Sequence, residues 1–273
     1  MVKRILWMVL LVTIGGNVAW AEDYGEPVQE PVHNAPQHDW TFTTSVNYST
    51  GDFGTSTTTD TVYVPFTLQR NFSLGRVYLT IPYIDQRSGT DVNAFGGRPF
   101  RTGGPGTGDT GWVGGLGDII LGGSYDLLRE PDKPFDLSAF SSIKFPTANK
   151  NKRLGTGKFD ESLGLTASKD LGKNWSVLGR IGYTFNGEPS GIDLEDQFFY
   201  DIGVGYQWTK ETFTSITYEE KTKLIDGQSD PRDLILGVEQ KLNETVGVFG
   251  NLDFGLSNGS PDFSVTVGMN VWF

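Results

Sequence analysis

Acid–base and nucleophilic chemistry at neutral pH usually needs a histidine or cysteine held by a scaffold. This chain offers two histidines and no cysteine, against 33 Asp and Glu and 22 Lys and Arg. His33 and His38 lie five residues apart in a stretch rich in proline and acids, with no further ligand spacing around them. Neither a Ser-His-Asp arrangement nor a zinc site is indicated. Gly103, Gly104 and Gly106 are followed by no Lys-Ser/Thr pair and no helical pattern, which removes a phosphate-binding loop. We expect no catalytic residue, no metal and no cofactor. The chemistry left is electrostatic. Asp118, Asp126, Asp201, Glu219, Asp233, Glu239 and Asp253, with Lys144, Arg180, Lys221 and Lys241, each occupy the polar slot of an alternating segment. Charges so placed either brace a cavity or screen what moves through it.

Those slots belong to strands. In the C-terminal stretch 262–273, Phe263, Val265, Val267, Met269, Val271 and Phe273 alternate with Ser264, Thr266, Gly268, Asn270 and Trp272, the period of a two-sided strand. The same pattern recurs at 40–50, 62–69, 77–83, 116–128, 135–146, 159–171, 175–186, 196–208, 212–223, 233–242 and 246–256. Tight turns at 129–134, 172–174, 209–211 and 243–245 alternate with longer connections, the longest being the glycine-rich 86–115. Most runs reach the length of about ten residues that a tilted strand needs to cross hydrocarbon. Strands of a soluble sandwich usually run about five or six. Aromatic residues gather at strand ends, at Trp40, Tyr83, Trp175, Phe185, Phe198, Trp208, Phe254 and Phe273, where interfacial girdles would form. The pattern predicts an all-β chain, a transmembrane antiparallel up-and-down β-barrel of about 12 strands over 40–273. Its apolar side would meet outer-membrane lipid and its polar side a lumen, with both termini in the periplasm.

Residues 1–21 carry Lys3 and Arg4, an apolar run at 5–14 and Ala19-Trp20-Ala21, which reads as an export signal cleaved near Glu22. Residues 22–39 read as a disordered periplasmic tail. No later stretch is apolar for long enough to span as a helix. With 36 glycines, 13% aromatics and only 37% hydrophobic residues, the composition suits a sheet with one lipid face and a wet interior. The formal charge of -11 argues against nucleic acid as a partner.

Register sharpens the lumen. If the 187–195 loop is centred between Pro189 and Gly191, Tyr183 falls opposite Phe198 outside and Arg180 opposite Asp201 inside. Lys221 would likewise face Asp233. Such facing pairs stabilise a sheet by about 0.2–1 kcal/mol each. Together with Lys144, Asp118 and Glu239 they form a candidate constriction, whose alternative role is simply to fill and brace the barrel. Tyr63 and Tyr78, beside Pro65 and Pro82, also face inward and either pack the lumen or offer an apolar track to a solute. Lys150, Lys152 and Arg153 in the 147–158 loop could meet lipid phosphates, or stand as solvated charge.

A family resemblance enters at 114–187. GGLGDIILGGSYDLL, then IKFPTANKNKRLGTGKFD, then SLGLTASKDLGKNWSVLGRIGYTFNG resemble, in order and spacing, the outer-membrane transporter family linked to the meta-cleavage pathway of phenol degradation. The resemblance implies passage of small hydrophobic or aromatic solutes and brings no substrate residues with it. The final strand, ending at Phe273, resembles the terminal strand of outer-membrane barrels, where a last Phe is a signal to the barrel-assembly machinery. The expected function is a channel for small-molecule solutes; the alternative is a closed structural or adhesive barrel acting through its extracellular loops.

Overall fold

The alternation over 40–273 folds into one antiparallel sheet that closes on itself. The computed structural model describes residues 38–54, 57–88, 92–95, 98–101 and 111–273, with the backbone alone for 92–95 and 98–101. The strands are β1 (Trp40–Gly51), β2 (Thr59–Phe72), β3 (Gly75–Ser88), β4 (Val92–Phe95), β5 (Arg98–Arg101), β6 (Val113–Leu116), β7 (Ile119–Leu128) and β8 (Asp136–Phe145). They continue with β9 (Asp160–Gly172), β10 (Trp175–Asn186), β11 (Gln197–Gln207), β12 (Thr212–Lys221), β13 (Arg232–Lys241), β14 (Val246–Gly255) and β15 (Phe263–Trp272).

β4 and β5 form a small hairpin of their own. β6 and β7 both pair with β3, at 83–86 and 75–80 respectively, so they are one stave interrupted at Gly117 and Asp118. Counted that way, the ring has 12 staves, as the pattern predicts. β1 seals the ring between β2 and β15. At the seam Trp40 N–H donates to Phe273 O at 2.9 Å and Phe273 N–H to Trp40 O at 3.0 Å. Closure matters because hydrocarbon offers no partner to an open edge, and each unsatisfied group there costs several kcal/mol.

The export signal expected at 1–21 and most of the tail expected at 22–39 lie outside the described residues, as does much of the 86–115 connection. At the tail's end, Asp39 O accepts from Asn71 N–H at 2.7 Å and Arg70 reaches the Asp39 carboxylate at 2.6 Å. β3 runs to Ser88 rather than ending at 83, and its partner β6 starts at Val113. Gln86 and Arg87 continue the ladder because backbone pairing needs no apolar side chain once a strand has left the lipid band.

On the outside, Val46, Phe66, Leu163, Ile181, Ile202 and Ile216 are exposed. So broad an apolar belt marks a lipid-facing surface. One girdle gathers Trp40, Trp175, Trp208 and Phe273, with Tyr206 edge-on to Trp175 at 4.8 Å and to Trp208 at 4.7 Å. The other gathers Tyr83, Phe185, Phe198 and Phe254. Along β10 the belts lie ten residues apart, from Trp175 to Phe185, about 25 Å along the membrane normal at the usual rise and tilt. That is the height of an outer-membrane apolar band.

Inside, aromatic rings lie flat against the wall. Tyr78, Phe140, Phe199 and Phe249 are buried and stand directly opposite Gly122, Gly164, Gly182 and Gly268 on the neighbouring strand. A Cβ at any of these glycines would run into the ring. Glycine there lets the ring cover bare backbone instead of standing across the lumen.

Candidate functional site in the barrel lumen

At one level of the lumen, Arg180, Asp201, Glu219 and Asp233 stand side by side on β10 to β13, each directly opposite the next. Arg180 Nε donates to Asp201 at 2.6 Å, and another guanidinium nitrogen lies 3.4 Å from Glu219. The guanidinium also sits 5.2 Å from the centre of the Phe199 ring. Asp233 accepts from the Ser260 hydroxyl at 2.8 Å. The Tyr183–Phe198 and Arg180–Asp201 partners are those the hairpin centring predicts.

Lys221 does not face Asp233. Its N–H donates to Pro231 O at 3.0 Å, Asp233 lies opposite Glu219, and Lys221 Nζ is 3.4 Å from Glu219. A shift of two residues keeps every side chain on its own face, so alternation determines the face but not the partner. Glu239 is also inward and buried, between Phe213 and Phe249 on its flanking strands.

Lys144 sits in a different setting. Its side chain is 1% exposed, with Nζ 3.1 Å from Asp118 and 2.5 Å from Asp160, and it donates to the Thr156 hydroxyl at 3.2 Å. Asp118 accepts from Ala148 N–H at 2.8 Å and Asp160 from Gly187 N–H at 2.9 Å. Burying three charges is costly unless each is fully satisfied. Here loop amides and a loop hydroxyl complete the set, so the triad fastens the 146–159 loop and the root of the 187–196 loop.

The 146–159 loop folds inward over the mouth. Asn149 caps a short 3-10 turn, Lys150–Lys152, by accepting from Asn151 N–H at 3.0 Å and Lys152 N–H at 3.3 Å. Leu154 then packs on Ile84, with Tyr63 and Ala148 beside them. Lys152 Nζ donates to Gly114 O at 3.0 Å, and Gln86 donates to Arg153 O at 3.3 Å. Lys152 is thereby spent on the barrel rim.

Tyr78 lies in a second apolar cluster, with Ile120 of the wall and Leu194 and Leu224 of two other loops; Ile192 and Ile225 pack against it. The two tyrosines therefore sit under separate inward loops. Ile84, Ile120, Leu154, Leu194 and Leu224 are absent from the candidates drawn from sequence. Their signal was present, as apolar residues in polar slots and in loops.

The wall from β15 through β1 to β2 is neutral. The Thr43 hydroxyl donates to Asn270 at 2.7 Å, Asn47 to Thr266 at 2.9 Å, and Thr67 and Thr80 share a bond of 2.8 Å. Outside the strands, Lys223 donates to Asp226, which holds the lysine pKa above and the carboxylate pKa below their ordinary values. Among the described residues no group of three or more His, Asp or Glu is arranged to hold a metal ion.

The barrel is similar to a solved outer membrane channel from Pseudomonas putida, with a TM-score of 0.71 at 15% identity over 90% of this chain and 100% of that one. It is also similar to the NanC porin, at 0.51 and 10% identity over 85% and 100%. The β domain of the Bordetella autotransporter BrkA gives 0.50 and 13% identity over 86% and 98%. A channel, a porin and an autotransporter domain share this architecture, so the likeness establishes the fold and leaves the function to the site. No match was found among curated proteins. Residues 41–273 match the family described as "Putative MetA-pathway of phenol degradation", and the chain belongs to that family.

Proposed function

We propose that this protein is an outer-membrane channel admitting small apolar or aromatic solutes. The observation that carries the reading is the closed ring of staves around an inner wall that holds Tyr78, Phe140, Phe199 and Phe249 buried against glycines. A planar apolar solute that displaces what covers those rings gains about 25 cal/mol per Å² removed from water. Arg180, Asp201, Glu219, Lys221, Asp233 and Glu239 serve as the polar side of that passage, while Lys144 and Asp118 hold the loops that shape its mouth. Membership of a family named for phenol degradation points to the same solute class.

The test compares uptake of labelled phenol at low concentration between a deletion strain and its complemented parent. Complementation is expected to speed uptake several-fold; equal rates would sink the proposal. The inward loops favour a second reading, a barrel closed at its outer mouth that works through its loops. Proteoliposomes no more permeable to small phenolics than empty liposomes would select it.

A further inference from the structure

The apolar cluster around Tyr78 joins opposite sides of the barrel. Going round the ring from β3 through β2, β1, β15, β14 and β13 to β12 is six steps out of twelve. Tyr78 belongs to β3, whereas Leu224 and Ile225 belong to the loop after β12, and all three fall in or against one cluster with Ile120 and Leu194. The two loops therefore cross the whole lumen. They also cross together, because Glu195 N–H donates to Leu224 O at 2.8 Å and Gln197 donates to Thr222 O at 2.7 Å.

Each loop is two-sided. Leu194 and Leu224 are buried, while Glu188, Asp193, Glu195 and Asp226 on the same segments are exposed. The roots are tied, with Asn186 N–H donating to Asp196 at 2.9 Å and Lys223 N–H to Asp230 at 2.8 Å. Close to these fixed roots, Leu194 and Leu224 join the cluster that includes the far wall.

We propose that Leu194 and Leu224 form with Tyr78 and Ile120 an apolar seal across the lumen, which stops hydrated ions and yields to apolar or aromatic solutes. The solute part rests on the channel function proposed above. A hydrated ion entering a constriction of leucine, isoleucine and ring carbon must shed water with nothing to replace it, and a narrow apolar passage dewets. An apolar solute replaces the contacts it displaces, so the seal discriminates by chemistry as well as size.

The experiment is planar-bilayer conductance in KCl of the full mature chain and of Leu194→Ser/Leu224→Ser, with assembly checked by the heat-dependent gel shift. The double variant is expected to conduct ions at least about fivefold better than wild type. The milder Leu194→Ala/Leu224→Ala pair should move the same way by less. Equal conductance of wild type and both assembled variants overturns the seal. A rise in conductance together with no aromatic uptake by wild type keeps the seal against ions and overturns the uptake reading instead.

Discussion

Two walls of one lumen are built on different chemistry. From β15 through β1 to β2, the inward residues are hydroxyls and amides such as Thr43, Ser45, Asn47, Thr266 and Asn270, bonded to one another across strands. From β8 to β14 the inward positions carry Lys144, Arg180, Asp201, Glu219, Lys221, Asp233, Glu239 and Asp253. The inward loops at 146–159, 187–196 and 222–231 all rise from the charged wall. A wall made only of sheet needs to satisfy its own side chains. A wall that carries loops must also hold backbone that has left the sheet. Carboxylates at the loop roots do this: Asp118, just before β7, takes Ala148 N–H, Asp160 takes Gly187 N–H, and Asp230, within its own loop, takes Lys223 N–H. Charge-assisted bonds are roughly twice as strong as neutral ones, which suits these three to holding backbone outside the sheet.

The contrast can be broken most severely at Lys144. Lys144→Ala strands Asp118 and Asp160 and is expected to cost about 3–5 kcal/mol, read as a lowered unfolding temperature in detergent. Adding Asp118→Asn and Asp160→Asn should recover much of the loss; full stability of the single variant would show that the triad fastens nothing. Arg180→Ala comes next, at about 1.5–3 kcal/mol for a bond between charged groups. It leaves Asp201 and Glu219 without their arginine, so in the conducting Leu194→Ser/Leu224→Ser background the reversal potential should move toward cation preference. Recordings in that background indistinguishable with and without Arg180→Ala would remove Arg180 from any screening role. On the neutral wall, Thr43→Val deletes one hydroxyl bond to Asn270 and should cost about 0.5–1.5 kcal/mol, with ion preference unchanged. A selectivity change there as large as that of Arg180→Ala would erase the distinction between the walls.

Much of this architecture was legible in the chain. The twelve staves, their outward residues and the girdles follow from alternation and from aromatic placement, because lipid on one side and water on the other force a strict period of two. The Arg180–Asp201 register followed from centring the 187–195 loop between Pro189 and Gly191, and that hairpin folds with the same partners. The Lys221 partner was not. Nothing in the pattern distinguishes registers that differ by an even number, and the turn conformation decides between them.

The lumen divides along the same line. Which residues face inward is a local property, set by the direction of successive Cβ atoms along a strand, and the sequence determines it unaided. Whether an inward charge lines a passage or fastens a loop depends on where distant segments come to rest. Lys144 and Arg180 both occupy inward slots of their strands, yet Thr156 closes over the first and Gly187 over its partner Asp160, while the second stands in a row with its carboxylates. Leu194 and Leu224 likewise read as loop residues until closure of the ring brings the opposite staves within their reach. Tertiary structure decided these roles because buried charge and apolar surface are satisfied by whatever meets them in space, and alternation along a strand carries no record of that.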